Sequence, residues 1–226
     1  MNLDLSQMNL REVNQTLHDL PENGVVETIY IQNPRGAHAV ACGLRVNAKI
    51  ETQGHVGYYC AGMNQKAEIT IHGSAGTGVA ENMMSGIVRV KGNASQSAGA
   101  TAHGGLLVIE GDASARCGIS LKGADIVVQG SVGHMSAFMA QAGRMVICGD
   151  AGEALGDSIY EARLYVRGRV ASLGADCIEK EMRDEHKAEL MDLLVKASLP
   201  AEIDGFRRYG SARNLYSFKV DNATSY

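Results

Sequence analysis

The chain has 226 residues, 45% of them hydrophobic, and a formal net charge of −4. This length is enough for one large domain or two small ones. Aromatic residues make up only 5% and tryptophan is absent, so the core must be built from aliphatic and small side chains. The scattered basic residues exclude a nucleic-acid-binding stripe. Without a signal segment or a long apolar run, we expect a cytoplasmic protein with no membrane partner.

The first segment, residues 1–24, is predicted to form an N-terminal capping helix region. Asn9 and Glu12 have the spacing of a capping box. Leu10 and Leu17 follow at helical spacing. A helix at this place would cover the first coil of the domain that follows, because the open end of a solenoid exposes unpaired strand edges.

The central segment, residues 25–175, contains an internal repeat of 19 residues. Four and two residues before each repeat glycine the side chain is apolar or β-branched, and six residues before it stands Gly or Ala. Apolar side chains at alternate positions indicate a short strand with one buried face. The glycine after this strand would allow a positive φ, at which the chain turns. The repeat glycines are Gly54, Gly73, Gly92, Gly111, Gly130, Gly149 and Gly168.

This repeat predicts an all-β fold, a right-handed parallel β-helix in which single strands from 19-residue coils stack into one solenoid. One coil is too small to bury its apolar face alone, whereas stacked coils bury a continuous aliphatic column. Helical repeats are longer and show apolar residues at a spacing of 3.6. The seven glycines would therefore form a structural ladder along the stack.

The third residue before each repeat glycine points outward if its two neighbours point inward. In the first coils this residue is polar, but in the last four it is apolar or aromatic. Stacked apolar residues on an outer face form a patch that needs a cover. The cover is either the chain's own C-terminal helix or tail, or another subunit, for which these residues would be an interface. The four residues are Val108, Val127, Val146 and Tyr165.

The last segment, residues 176–226, is predicted to form a C-terminal helix and tail. The spacing of Asp176 and Glu179 matches a second capping box, so the helix is predicted to begin there and to end before Pro200. Its apolar face would begin with Ile178. The remainder of the chain, which holds three of the eight tyrosines, is predicted to be an irregular tail.

The sequence contains no pattern that predicts a catalytic, cofactor-binding or metal site. His55 and His72 lie beside their repeat glycines on adjacent coils, but two ligands without a third make a poor metal site. The glycine-rich run 73–78 lacks the Lys-Ser or Lys-Thr of a phosphate-binding loop. Five widely spaced cysteines without a CxxC pair indicate buried reduced thiols. They are Cys42, Cys60, Cys117, Cys148 and Cys177.

The residue directly after each repeat glycine differs in type from coil to coil, and we interpret this column as a mixed, solvated face. Enzymes that cleave carbohydrates on a β-helix need clustered carboxylates in such a column. The column reads His55, Ser74, Asn93, Asp112, Ser131, Asp150 and Arg169.

Several longer strings resemble a known family. The run 149–156 (GDAGEALG) is similar to the motif of the GXGXG family, which supplies the C-terminal β-helix domain of the large subunit of glutamate synthase. The strings 80–86 (AENMMSG), 133–139 (GHMSAFM) and 207–213 (RRYGSAR) are similar to a stand-alone form of that domain. The resemblance covers most of the chain and is nearest to the β-helix subunit of bacterial N-methylglutamate synthase, a glutamate synthase relative split across three polypeptides.

The resemblance implies a non-catalytic subunit that organises two partners in a larger hetero-oligomer. One partner would resemble a class II glutamine amidotransferase, and the other an FMN-binding synthase subunit with iron–sulfur clusters. No cofactor is expected in this chain, and the amidotransferase's N-terminal cysteine is absent, because the chain begins with Met1 and Asn2. The implied reaction is the transfer of methylamine, or a related amine, to glutamate. Two alternatives remain open: a subunit of formylmethanofuran dehydrogenase, and an autonomous β-helix enzyme with a surface groove.

Overall fold

The computed structural model describes residues 1–21 and 28–214. Within them, eleven strands form one sheet in the order β1 to β9, then β11 and β10. Two helices accompany the sheet, α1 (Leu10–His18) and α2 (Asp184–Lys196), and neither is long and apolar enough to cross a membrane. The strands are β1 (Asn2–Asp4), β2 (Ile29–Gln32), β3 (Lys49–Gln53), β4 (Glu68–Ile71), β5 (Ile87–Val90), β6 (Leu106–Ile109), β7 (Lys122–Val128), β8 (Ala142–Ile147), β9 (Arg163–Val166), β10 (Cys177–Lys180) and β11 (Arg207–Ser211).

Strands β3 to β9 stack in parallel with a register of 19 residues per coil, which confirms the predicted repeat. Ile50 is paired with Ile69, and Leu107 with Ile126, in the same column. A second ladder of parallel bridges begins at Val56, two residues after the first repeat glycine, and continues through every coil. The all-β solenoid is therefore confirmed, and its right-handed winding stays a prediction.

The core of the solenoid is the aliphatic column that the alternation of apolar residues predicts. Ile69, Ile71 and Ile109 are fully buried. Thr52 is the polar member of this column, and its hydroxyl donates to the carbonyl of Thr70 at 3.4 Å. No side-chain nitrogen or oxygen that is buried in the described part of the chain lacks a hydrogen-bond partner, as expected of a well-packed interior.

The repeat glycines are required for a reason that differs from the prediction. Among the seven, only Gly54 has a positive φ, of 132°, so the expected positive φ is wrong for the other six. At Gly73 an added Cβ would lie 2.6 Å from the carbonyl carbon of Gly54 and 2.8 Å from the amide nitrogen of His55. Glycine is needed there because it lets the backbone of one coil approach the backbone of the previous coil.

The chain turns instead at a corner in which alternate residues adopt the left-handed conformation. In the coil after β3, Tyr59, Ala61 and Met63 have φ values of 59°, 57° and 54°. Later coils are left-handed at equivalent positions, and few of these residues are glycine. Each such non-glycine residue costs of order 1 kcal/mol, so the stacking of neighbouring coils must hold the corner in place.

At the N-terminus, α1 begins at the predicted capping box. The side chain of Asn9 accepts a hydrogen bond from the amide of Glu12 at 3.0 Å, and the carboxylate of Glu12 accepts one from the amide of Asn9 at 2.8 Å. Val13 and Leu17 are fully buried against the core. The predicted boundary between 1–24 and 25–175 lies outside the described residues, and β1 of the first segment pairs with β2 of the second in one sheet.

The C-terminal segment differs from the predicted helix. Cys177–Lys180 is strand β10, so the predicted helix start at Asp176 is wrong, and α2 begins at Asp184. Ile178 belongs to this strand and is 41% exposed. The reason is that Arg207–Ser211, predicted to be irregular, forms β11 and pairs antiparallel with both β10 and β9. The rest of the predicted tail, 215–226, lies outside the described residues.

Helix α2 covers the outer face of strands β6 to β9. The sequence left two possible covers for the apolar outer column, and the structure shows that the chain's own helix covers it. This face is therefore not free for another subunit. The outer side of α2 exposes Met191 and Val195. The four outward residues predicted as an interface are fully buried under the helix: Val108, Val127, Val146 and Tyr165. The helix residues buried with them are Leu190, Leu193, Leu194 and Ala197.

Candidate functional site

The polar column that follows the repeat glycines forms an unbroken ladder of hydrogen bonds. Each side chain accepts a hydrogen bond from the backbone amide of the equivalent residue one coil later. The amide of Ser74 donates to Nδ1 of His55 at 2.9 Å, and the amide of Ser131 donates to Oδ1 of Asp112 at 2.7 Å. The ladder runs through His55, Ser74, Asn93, Asp112, Ser131 and Asp150 to the amide of Arg169.

This acceptor ladder corrects the interpretation of the column as a mixed, solvated face. Asp112 is exposed, yet its side chain is bound to the next coil. His55 uses Nδ1 as an acceptor, so its proton in the neutral form is on Nε2. His72 contacts the carboxylate of Glu51 through Nε2. The two histidines are thus held by separate partners, and no group of three metal-ligating side chains occurs in 1–21 or 28–214.

We expect the substitution Asp112→Ala to lower the free energy of unfolding by about 1–2 kcal/mol, because the amide of Ser131 loses its charged acceptor. Asp112→Asn is the matched control, since it keeps an oxygen at the same position, and most of the stability should remain. Urea unfolding of the three proteins measures the difference. Equal losses in both variants would show that the acceptor atom has no part in coil stacking.

The outer face of strands β3 to β5 lies outside the cover of α2 and, together with Glu110 directly after β6, carries paired charges. The carboxylate of Glu110 accepts from Arg89 at 3.2 Å and from Lys91 at 2.7 Å. Lys49 lies 3.6 Å from Glu68. Ion pairs at an exposed surface contribute about 0–1 kcal/mol each. Such pairs can therefore exchange partners at small cost.

A second set of charges holds α2 on the sheet. Glu189 of α2 lies 2.9 Å from Arg163 and 3.5 Å from Arg144, and it accepts a hydrogen bond from the hydroxyl of Tyr165. Arg144 in turn binds Asp125 at 2.5 Å. Burial and then the hydrogen bond to Glu189 raise the pKa of Tyr165, so this hydroxyl remains a donor at neutral pH. The set fixes the position of the helix.

The five cysteines are free thiols, as the sequence indicates, and four of them are buried. Burial raises the pKa of Cys42 to about 11. It also raises the pKa of Cys117 and that of Cys177 to about 12. Nucleophilic attack requires the thiolate, so these three residues are protonated and unreactive near neutral pH.

The raised thiol pKa values predict that the protein becomes less stable at alkaline pH. A cysteine ionises near pH 8.5 in the unfolded chain but stays protonated in the folded one, so rising pH favours unfolding above that value. Between about pH 8 and about pH 10 one buried thiol should cost about 2 kcal/mol. Urea unfolding of the wild type and of Cys117→Ala tests this, and the variant should lose less stability over this interval. If the wild type and Cys117→Ala lose the same stability over this interval, ionisation of the buried thiol is not the cause.

The stacked coils, the acceptor ladder and the helix that covers half of the outer face define a parallel β-solenoid protein. No protein-family model matches the chain, and no solved structure matches it. It is 58% identical over 225 residues to Protein GlxC from Rhizobium meliloti (strain 1021), an alignment that covers 99% of both chains. The chain therefore belongs to the GlxC family. The β-helix subunit that the sequence strings resemble is GlxC-like, so this match confirms the resemblance.

Proposed function

We propose that the chain is the β-helix subunit of a glutamate-synthase-related enzyme and that the catalytic residues lie in its partners. The observation that carries the proposal is that the solenoid makes up nearly the whole described chain, whereas the β-helix that it resembles in glutamate synthase is one domain of a larger polypeptide. The 58% identity to Protein GlxC over 99% of both chains supports the relation to a β-helix subunit of this type.

The proposed enzyme is N-methylglutamate synthase, which transfers methylamine to glutamate. Its other subunits would be a class II amidotransferase-like chain and a synthase-like chain that binds FMN and iron–sulfur clusters. The role proposed for this chain is to hold the two at a fixed distance. Its rigidity supports this role, because two β-ladders and the acceptor ladder tie each coil to the next. Seven coils span roughly 30 Å at about 4.8 Å per strand.

Two exposed surfaces are available for such partners. One is the charged outer face of β3 to β5, whose ion pairs a partner of complementary charge can rearrange. The other is the outer side of α2, where Met191 and Val195 are 42% and 59% exposed. Charge complementarity contributes mainly to orientation and to the association rate, which is what a spacer between two catalytic subunits requires.

The test is reconstitution of activity from separated subunits. The two partner chains are assayed for amine transfer to glutamate with this chain, without it, and with this chain alone. We expect substantial turnover only in the complete mixture. Full activity of the two partners without this chain would contradict the proposal. Turnover by this chain alone would favour the autonomous enzyme instead.

A further inference from the structure

A cleft of about 490 Å³ lies where the solenoid meets the C-terminal segment. It is lined by residues of β9, β10 and β11, of the loop before β9, and of the start of α2. Five of the lining side chains are Lys or Arg, and two are Glu. A volume of this size falls in the range of about 300–1,000 Å³ that is usual for small-molecule sites.

Three of the five cations already have carboxylate partners. Arg213 lies 2.8 Å from Glu161, and Arg183 lies 3.0 Å from Glu181. Arg163 lies 2.9 Å from Glu189, a carboxylate that Arg144 shares. These pairs account for both glutamates of the lining.

The other two cations, Lys180 and Arg208, lie directly opposite each other in the pairing of β10 with β11. Within the described ranges, neither side chain forms an ion pair with a carboxylate. Arg208 donates through Nε to the backbone carbonyl of Glu181 at 2.9 Å. Like charges directly opposite each other on paired strands are destabilising.

The surroundings of Arg208 make this arrangement more costly. Its side chain is half-buried, and burial together with the charges of Arg183 and Arg163 lowers its pKa. Among the described residues, Lys180 and Arg208 thus add positive charge to a polar cleft whose two glutamates are already paired. An anion in the cleft would relieve this repulsion, and guanidinium groups bind carboxylate and phosphate through two parallel hydrogen bonds.

We propose that this cleft binds a small multivalent anion, either one that carries two or more carboxylate groups or a phosphate. Lys180 and Arg208 supply the uncompensated positive charge, and Arg163 and Arg183 flank them. A single carboxylate would leave one of the two opposed cations without a partner. This inference does not depend on the proposed function.

The test is calorimetric titration of the full chain at low ionic strength with citrate, with inorganic phosphate and with acetate. Wild type is expected to bind citrate or phosphate, and the tighter of the two identifies the anionic group. Arg208→Gln and Lys180→Gln should each weaken that binding by about tenfold or more. Arg11→Gln is the matched control, because Arg11 is an exposed arginine on α1, and it should bind as the wild type does.

Three results would overturn the proposal. They are no binding of citrate or phosphate by the wild type, acetate bound as tightly as citrate, and an equal loss of affinity in Arg11→Gln. Arg208 also bonds to the backbone of Glu181, so Arg208→Gln is checked by a thermal melt. Lys180→Gln removes a charge from the same strand pair without this bond and carries the test if Arg208→Gln unfolds.

Discussion

The substitution Gly73→Ala is expected to lower the free energy of unfolding by roughly 2–3 kcal/mol and the melting temperature by about 5–10 °C. The new Cβ would lie 2.6 Å from the carbonyl carbon of Gly54 and 2.7 Å from its oxygen. Both are backbone atoms, so no side chain can move aside, and two stacked coils must separate. A calorimetric melt measures the effect.

The matched control is Gly210→Ala in β11. There the added Cβ would meet its nearest atom, the carbonyl oxygen of Ala162, at 3.7 Å, an ordinary contact distance. We expect its melting temperature to stay within about 2 °C of the wild type. If Gly73→Ala is as stable as Gly210→Ala, close backbone approach is not what requires glycine in the repeat.

The substitution Ile109→Ala is expected to cost about 2–5 kcal/mol of unfolding free energy. Ile109 is fully buried in the central column, between Val90 and Val128 of the neighbouring coils. Truncation leaves a cavity that the stacked coils cannot close, because the register fixes their separation. Urea unfolding should show a lower midpoint with an unchanged slope.

Ile87→Ala is the control for this prediction. Ile87 begins the preceding strand, but its side chain faces outward and is 37% exposed. The same truncation should therefore cost less than about 1 kcal/mol. Similar losses in the two variants would contradict the assignment of inward and outward positions.

The strands and the core could be predicted from the sequence because each coil repeats the same pattern of apolar residues and glycine. An apolar residue at alternate positions, followed by a glycine at a fixed interval, gives both the strand and its register. Ile69 and Ile71 lie where this pattern puts them. The corners could not be predicted in the same way, because their left-handed residues are often Ala, Met or Ser. Their conformation comes from stacking rather than from local preference.

The sequence carries a signal for the acceptor ladder that the interpretation as a mixed face does not use. Histidine, serine, asparagine and aspartate look unlike in charge and size, which led to the interpretation of a mixed face. Their shared property is a short side chain with an acceptor atom near the backbone. Only the last member, Arg169, lacks such an acceptor. Its amide donates to Asp150, but its side chain accepts no hydrogen bond in the ladder. Shared hydrogen-bonding capacity, rather than shared charge or size, identifies this column.

The C-terminal segment shows the limit of local signals. Asp176 and Glu179 have the spacing of a capping box, but their strand pairs with a segment about 30 residues later in the chain. Pairing across that distance leaves no local pattern. The outer apolar column, by contrast, indicates from the sequence that Val127 and Val146 need a cover, and α2 is one of the two covers that the sequence leaves open.

The most direct test of the assembly role is native mass spectrometry of the tagged chain purified from its own host, with an absorbance spectrum of the same sample. We expect two larger partner chains and the spectrum of a flavin. Recovery of a colourless chain alone, or of a homo-oligomer, would contradict the account. A molybdenum or tungsten enzyme as the partner would instead favour the formylmethanofuran dehydrogenase type of subunit.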